Sequence, residues 1–249
     1  MGAWFSDMLK PHCREIMRVG RRTAITPERA AAKCDVLVFS VPMKDTVKVI
    51  RKIAPLASED ALLMDLTSVK AKPMAAMLHF SGAEVVGAHP LFGPGNSGNS
   101  KKTCVLCEGR GKAGMVWIRE ILESSGVNVL VSTPDAHDHA MGMIQGTNHF
   151  ASLAFAMCMA RSGLSLDALE GFATPAFRTR VDRVKNMMGQ SEELFGSLLM
   201  ENPSALGFMS NYFEGAREIL AMVKQGDIKK FGKMFESLKG YFGKVDEKG

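Results

Sequence analysis

The sequence predicts an α/β chain: a doubly wound, mostly parallel sheet over residues 1–134, followed by an all-helical half over residues 135–249. Three observations predict it. Short apolar runs alternate with helical patterns in the first half, as βα units do. After Pro134 no strand-like run follows. The chain has 249 residues, room for two modest domains.

The strand candidates are compact apolar runs at 34–41, 61–66, 84–88, 103–107 and 127–131. Residues 44–56 and 112–125 carry apolar positions at helical spacing and read as connecting helices. Residues 15–19 read as a further strand near the N-terminus. In the second half, Asp135 reads as the N-cap of one long helix reaching Met159. Further helices are expected at 165–172, 176–188, 192–200, 204–224 and 227–242.

Composition narrows the function classes. Hydrophobic residues make up 46% and charged residues 23%, so the chain can bury an ordinary core. The longest apolar stretches fall short of a membrane span, and residues 1–10 lack the basic-then-apolar order of a secretory signal. Five scattered cysteines do not form a disulfide framework, so a reduced, cytoplasmic location is expected. The net charge of +5 favours anionic small molecules. Nucleic acid is not expected, because the basic residues are dispersed and two Trp and two Tyr offer few stacking platforms. The eighteen methionines read as adaptable core filler.

No metal site is expected. Cys104 and Cys107 have ligand-like spacing, but strand alternation sends them to opposite faces. His137 and His139, two apart on a helix, also point apart.

The chemistry concentrates in two segments. Gly87-Ala88-His89-Pro90-Leu91-Phe92-Gly93-Pro94-Gly95 runs a strand into a histidine and then a turn-rich loop. In open α/β sheets ligands bind beyond the carboxyl ends of strands, which places His89 where a substrate would lie. A histidine titrating near neutral pH is a natural general base. The plainer alternative is a histidine that ties down its loop. Asp65-Leu66-Thr67-Ser68-Val69-Lys70 ends the preceding strand and opens a helix. Ser68 would lie at the same sheet edge and orient His89; equally, Thr67 or Ser68 could serve as the N-cap of that helix.

Together with the strand end Ser40-Val41-Pro42, these motifs resemble the prephenate dehydrogenase family. The second half extends the resemblance through His137-Asp138, Ile144-Gln145 and His149-Phe150. It continues in Thr174-Pro175-Ala176-Phe177-Arg178 and Gly189-Gln190-Ser191. The resemblance implies a Rossmann-like dinucleotide-binding domain over 1–134, a helical substrate and dimerisation domain over 135–249, and a homodimer. It implies oxidative decarboxylation of prephenate with hydride transfer to NAD(P). His89 would take the ring hydroxyl proton and Ser68 would orient it. His149, Arg178, Asn186 and Gln145 would hold the substrate; a guanidinium suits a carboxylate because its fork binds bidentately. Gly2, Arg21, Arg22, Ser40, Val41, Pro42 and Thr67 would face the dinucleotide.

The chain departs from the family pattern twice. Asn186 stands where many members carry an arginine that grips a carboxylate, which keeps arogenate and 4-amino-4-deoxyprephenate open as substrates. The first strand and its glycine-rich turn, expected before a helix such as the one starting at Gly2, are not in the sequence as it stands. Their absence is expected to expose two facing sheet edges and to leave the pyrophosphate site incomplete. A catalytically impaired, ligand-sensing or dimerising remnant is the corresponding alternative, and a related hydroxyacid or imine reductase is a third. Arg21 and Arg22 follow residues 15–19, where an acidic residue would favour NAD, so they favour the 2′-phosphate of NADP.

Overall fold

The structure is a computed structural model and describes residues 1–20, 22–93 and 102–243. Five strands form one sheet in the order β1-β2-β3-β4-β5. They are β1 (Val36–Phe39), β2 (Leu62–Asp65), β3 (Glu84–Pro90), β4 (Thr103–Glu108) and β5 (Asn128–Ser132). All neighbours are parallel except β3 and β4, which are antiparallel.

Alternation along each strand sends side chains to two separate cores. Leu37, Phe39, Leu63, Val85, Val105 and Cys107 pack on one face beneath α3 (Met43–Ile53) and α4 (Ala71–Phe80), through Ile50, Ile53, Met74 and Met77. Leu62, Met64, Val86, Ala88, Cys104 and Leu106 pack on the other face. There Phe5 and Leu9 of α1 (Gly2–Leu9) and Ile118, Ile121 and Leu122 of α5 (Ala113–Ser124) cover them. Cys104 and Cys107 therefore do lie on opposite faces, as alternation requires. Burial pushes both thiols up to about 12, which makes them inert apolar filler.

Residues 15–19 do not form a strand. No strand among the described residues lies on the outer side of β1, and a lone extended segment without a ladder partner gains no interstrand hydrogen bonds. Among the described residues β1 is thus an edge strand, like β5 at the other end, and no second edge faces it across a gap. A short helix, α2 (Pro27–Ala31), stands between this segment and β1, with the Thr26 side chain accepting from the Arg29 amide.

After β5 the described chain is helical. The long helix expected with Asp135 as its N-cap begins two residues earlier and is interrupted. Thr133 is the N-cap of α6 (Pro134–Met141), accepting from the Ala136 amide, while Pro134 takes the first helical position and Asp135 lies in the first turn. The helix then widens to a π segment over Gly142–Thr147 before α7 (Asn148–Arg161). Glycines 142 and 146 allow close approach at this segment: a Cβ on Gly142 would meet Ser204 at 3.0 Å, and one on Gly146 would meet the Ala205 Cβ at 2.7 Å. The remaining helices are α8 (Leu166–Glu170), α9 (Pro175–Met188), α10 (Glu192–Met200), α11 (Ala205–Gln225) and α12 (Ile228–Phe242).

Candidate active site

The carboxyl ends of β2 and β3 build the site. Asp65, the last residue of β2, is in register with Phe39 of β1 and Gly87 of β3. Its Oδ2 accepts from the Thr67 amide at 3.0 Å and from Lys70 Nζ at 2.5 Å, and it also meets the Thr67 hydroxyl. Lys70 is completely buried, and its Nζ also donates to the Ala88 carbonyl at 2.8 Å. Gly87 makes this reach possible: a Cβ there would stand 2.5 Å from Met74 Sδ and 3.0 Å from Lys70 Cδ. One lysine thus fastens the end of β2 to the residue immediately before His89. Asp65 Oδ1 is buried with no hydrogen-bond partner among the described residues, so the pair holds this corner at a desolvation cost.

His89 is 3% exposed. Its Nδ1 lies 2.8 Å from Nε2 of His137, and the two rings meet edge to face. His137 Nδ1 in turn lies 2.8 Å from Asp138 Oδ1. Asp138 also accepts from two backbone amides at the start of α4: Lys70 to Oδ1 at 2.7 Å and Ala71 to Oδ2 at 3.0 Å. The N-terminus of α4 is therefore capped by α6. Its N-cap residue is Lys70, with no side-chain cap of its own, rather than Thr67 or Ser68. Asn202 Nδ2 donates to the Asp138 carbonyl at 2.7 Å and anchors α6 from the far side.

The electrostatics follow from this packing. Burial holds the His89 imidazole well below its ordinary pKa, and the positive charge of Lys70 and the neighbouring His137 push the same way. His89 is thus a neutral base through the neutral range. Burial works against the Asp138 carboxylate. The His137 ring and the amides of Ala71 and Lys70 outweigh it, so its pKa lies below the ordinary value.

The remaining predicted residues are distributed unevenly. Ser68 is half-buried and makes no hydrogen bond to His89; the partner of that ring is His137. Thr67 is buried, with its hydroxyl between Asp65 and the Val69 carbonyl. Gly2 lies against the end of β1, where a Cβ on it would come 2.8 Å from Ser40 Oγ. Ser40 and Pro42 are exposed there and Val41 is half-buried. Arg22 is exposed in a turn, and Arg21, Pro94 and Gly95 lie outside the described residues. Phe92, just past His89, stacks edge-on against Trp4 of α1 at 4.9 Å, so α1 steadies the start of the loop.

On the helical side, Gln145 is half-buried in the π segment. His149 packs edge-on against Phe195 at 4.9 Å, and burial lowers its pKa. Arg178 is exposed, and its guanidinium donates to the Ala173 and Glu170 carbonyls just before α9. Asn186 is exposed, with its backbone carbonyl accepting from Gln190. Among the described residues, no hydrogen bond or ring contact joins Arg178 or Asn186 to His89 or His149. No group of three or more His, Cys, Asp or Glu side chains suited to a metal occurs among them either, and no helix is long and apolar enough to cross a membrane.

His137 and Asp138 are the functional candidates that motif reading left without a role. The adjacent His-Asp pair was visible. Its placement behind His89 was not, because it depends on a contact across 48 residues.

Residues 6–129 match the family model described as prephenate dehydrogenase, nucleotide-binding domain, and residues 133–237 match the one described as prephenate dehydrogenase, dimerization domain. The chain is similar to the T-protein of Enterobacter agglomerans, at 30% identity over 98% of this chain and 65% of that protein. It is similar to a probable arogenate/prephenate dehydrogenase of Methanocaldococcus jannaschii, at 28% identity over 100% of this chain and 60% of that protein. The chain thus spans somewhat less than two thirds of the length of these relatives. Among solved structures, a prephenate dehydrogenase from A. aeolicus in complex with hydroxyphenyl propionate and NAD+ superposes with a TM-score of 0.75, at 16% identity over 99% of this chain and 95% of that one.

Proposed function

The chain belongs to the prephenate dehydrogenase family, and from that premise we propose that it oxidatively decarboxylates prephenate to 4-hydroxyphenylpyruvate with a nicotinamide dinucleotide as hydride acceptor. The observation that carries the reading is His89: a buried, neutral imidazole at the carboxyl end of β3, with Nδ1 beside His137 and no hydrogen bond at Nε2 among the described residues.

The residues at the head of α1 fit one side of a dinucleotide site. The helix has no side-chain cap, so its first amides and the positive end of its dipole are available to a phosphate. Gly2 also brings the helix against Ser40 as only a residue without a Cβ can. Gly2, Ser40, Val41 and Pro42 would line the dinucleotide, Thr67 would shape the adjoining strand end through its bonds to Asp65 and Val69, and Arg21 and Arg22 would favour the 2′-phosphate of NADP. When bound, the nicotinamide supplies the carbon that accepts hydride. His89 Nε2 takes the proton of the ring hydroxyl as hydride leaves the carbon bearing it. Loss of carbon dioxide from the opposite ring carbon leaves its electron pair in the ring, and the phenolate oxygen so formed takes the proton back from His89 Nε2 to give the phenol. Gln145 and His149 would border the substrate from the helical side, and Arg178 and Asn186 would meet its carboxylates once α9 faces the cleft. Exposed apolar side chains on the helical half, including Leu206, Val223 and Ile228, support pairing of two copies there.

Steady-state turnover of prephenate, arogenate and 4-amino-4-deoxyprephenate, each with NAD and with NADP, tests the assignment. The expected order puts prephenate with NADP first. Preference for either amino acid would move the substrate assignment to that analogue, and equal affinity for NAD and NADP would remove the role of Arg21 and Arg22.

A further inference from the structure

We propose that His137 and Asp138 are positioning residues that fix His89 as its Nδ1–H tautomer, so that the Nε2 lone pair faces the substrate hydroxyl. The inference rests on the reading of His89 as the base and extends it to the chain of groups behind it.

The protonation pattern follows from the donors at one end. Asp138 is surrounded by N–H groups: the Lys70 amide on Oδ1, the Ala71 amide on Oδ2 and the His137 ring beside Oδ1. A carboxylate so placed stays ionised and acts only as an acceptor. The nitrogen of His137 facing it must therefore carry a proton, which leaves Nε2 of a neutral His137 as an acceptor. The atom 2.8 Å from that nitrogen is Nδ1 of His89, which must then be the donor. The proton of neutral His89 is thus assigned to Nδ1, and Nε2 is bare. Nothing in this chain needs to transfer a proton. When His89 takes the substrate proton at Nε2, the new positive charge strengthens its Nδ1–H bond to His137, and the Asp138 carboxylate lies one ring beyond.

The placement is rigid. His89, His137 and Asp138 are each 3% exposed or less. Asp138 is fixed from α4 through two amides and from Asn202 through its own carbonyl. The other groups facing His89 are the ammonium of Lys70, which opposes protonation, and the Asp65 carboxylate bound to that ammonium.

Nitrogen NMR of protein labelled with 15N-histidine reads the tautomer directly at neutral pH, with the His89 signals identified by their loss in His89→Asn. The expected spectrum shows a protonated Nδ1 and an unprotonated Nε2 on His89. A predominant Nε2–H form, or a shift averaged between the two, would overturn the proposal whatever the turnover data say about His89 as the base. Kinetics give the second test. His137→Phe, which offers no acceptor, should lower kcat by roughly 10²-fold, the scale of a misplaced catalytic group. KM should change little, and the acid limb of the rate should move, because the ring that accepts the Nδ1–H and neighbours the charge of His89 is gone. His137→Gln, whose amide oxygen can accept from the same N–H, should recover most of the loss. A His137→Phe enzyme with unchanged kcat and an unmoved limb would return the pair to a purely structural role. If that variant fails to fold, the tautomer of the unmutated protein decides the matter.

Discussion

The two sides of the proposed cleft are built differently. On the sheet side, His89, Lys70, Asp65 and Asp138 are buried and joined by a continuous set of hydrogen bonds. On the helical side, Arg178 and Asn186 are exposed, and their hydrogen bonds stay within their own neighbourhood. A strand end inherits its position from the ladder beneath it, so a catalytic group placed there is preorganised before any ligand arrives. A residue on an exposed helix face is fixed only by its own turn and must wait for substrate or a second copy of the chain. Substitutions on the sheet side should therefore damage chemistry or folding, whereas those on the helical side should damage binding alone.

His89→Asn should break the sheet side most severely. Turnover should fall by roughly 10²–10⁴-fold, the usual contribution of a general base, with dinucleotide affinity by calorimetry near that of the parent. Lys70→Ala should act on folding instead. Removing one partner of a fully buried pair leaves Asp65 charged and unpaired, a loss of about 3–5 kcal/mol in urea unfolding. A loss under about 1 kcal/mol would mean that water reaches Asp65 easily and that the corner is softer than its geometry implies.

Arg178→Ala should sharpen the contrast from the other direction. KM for substrate should rise roughly ten- to hundredfold, the worth of a charge-assisted hydrogen bond. Stability should stay within about 0.5 kcal/mol of the parent, as for other surface positions. An unchanged KM would assign Arg178 solely to closing the turn before α9. The pH dependence of stability should be gentler still. The folded chain disfavours a proton on His89 and on His149, while the unfolded chain accepts one near pH 6.5 on each. Stability should therefore be full above about pH 6.5 and fall on acidification toward the depressed values, by at most about 1.4 kcal/mol per pH unit for each group. His89→Asn should flatten that slope.

The contrast also explains what the sequence disclosed. Strand alternation placed Cys104 and Cys107 on opposite faces, and the run from Gly87 to Phe92 marked a sheet edge, because both signals are local. The antiparallel pairing of β3 and β4 has a sign in the sequence between them. A parallel crossover normally needs a helix, and residues 91–102 carry no helical pattern. Thr133 before Pro134 is a better start signal than Asp135, and Gly142 with Gly146 marks where the helix departs from regularity. By contrast, the capping of α4 by Asp138 spans 68 residues of sequence, and no periodicity encodes it. Residues 15–19 misled for the opposite reason. Their pattern is extended, but strand formation depends on a neighbour, and none is described beside β1.

The central claim is that a preorganised, neutral His89 takes the substrate proton. The pH profile of kcat/KM tests it most directly, because it reports ionisation of the free enzyme. The rate should climb with rising pH through a single ionisation lying below 6.5 and then reach a plateau across neutrality, and the residual rate of His89→Asn should lack that limb. A parent enzyme whose kcat/KM is flat across that acid range, or a His89→Asn enzyme that keeps the same limb, would contradict it.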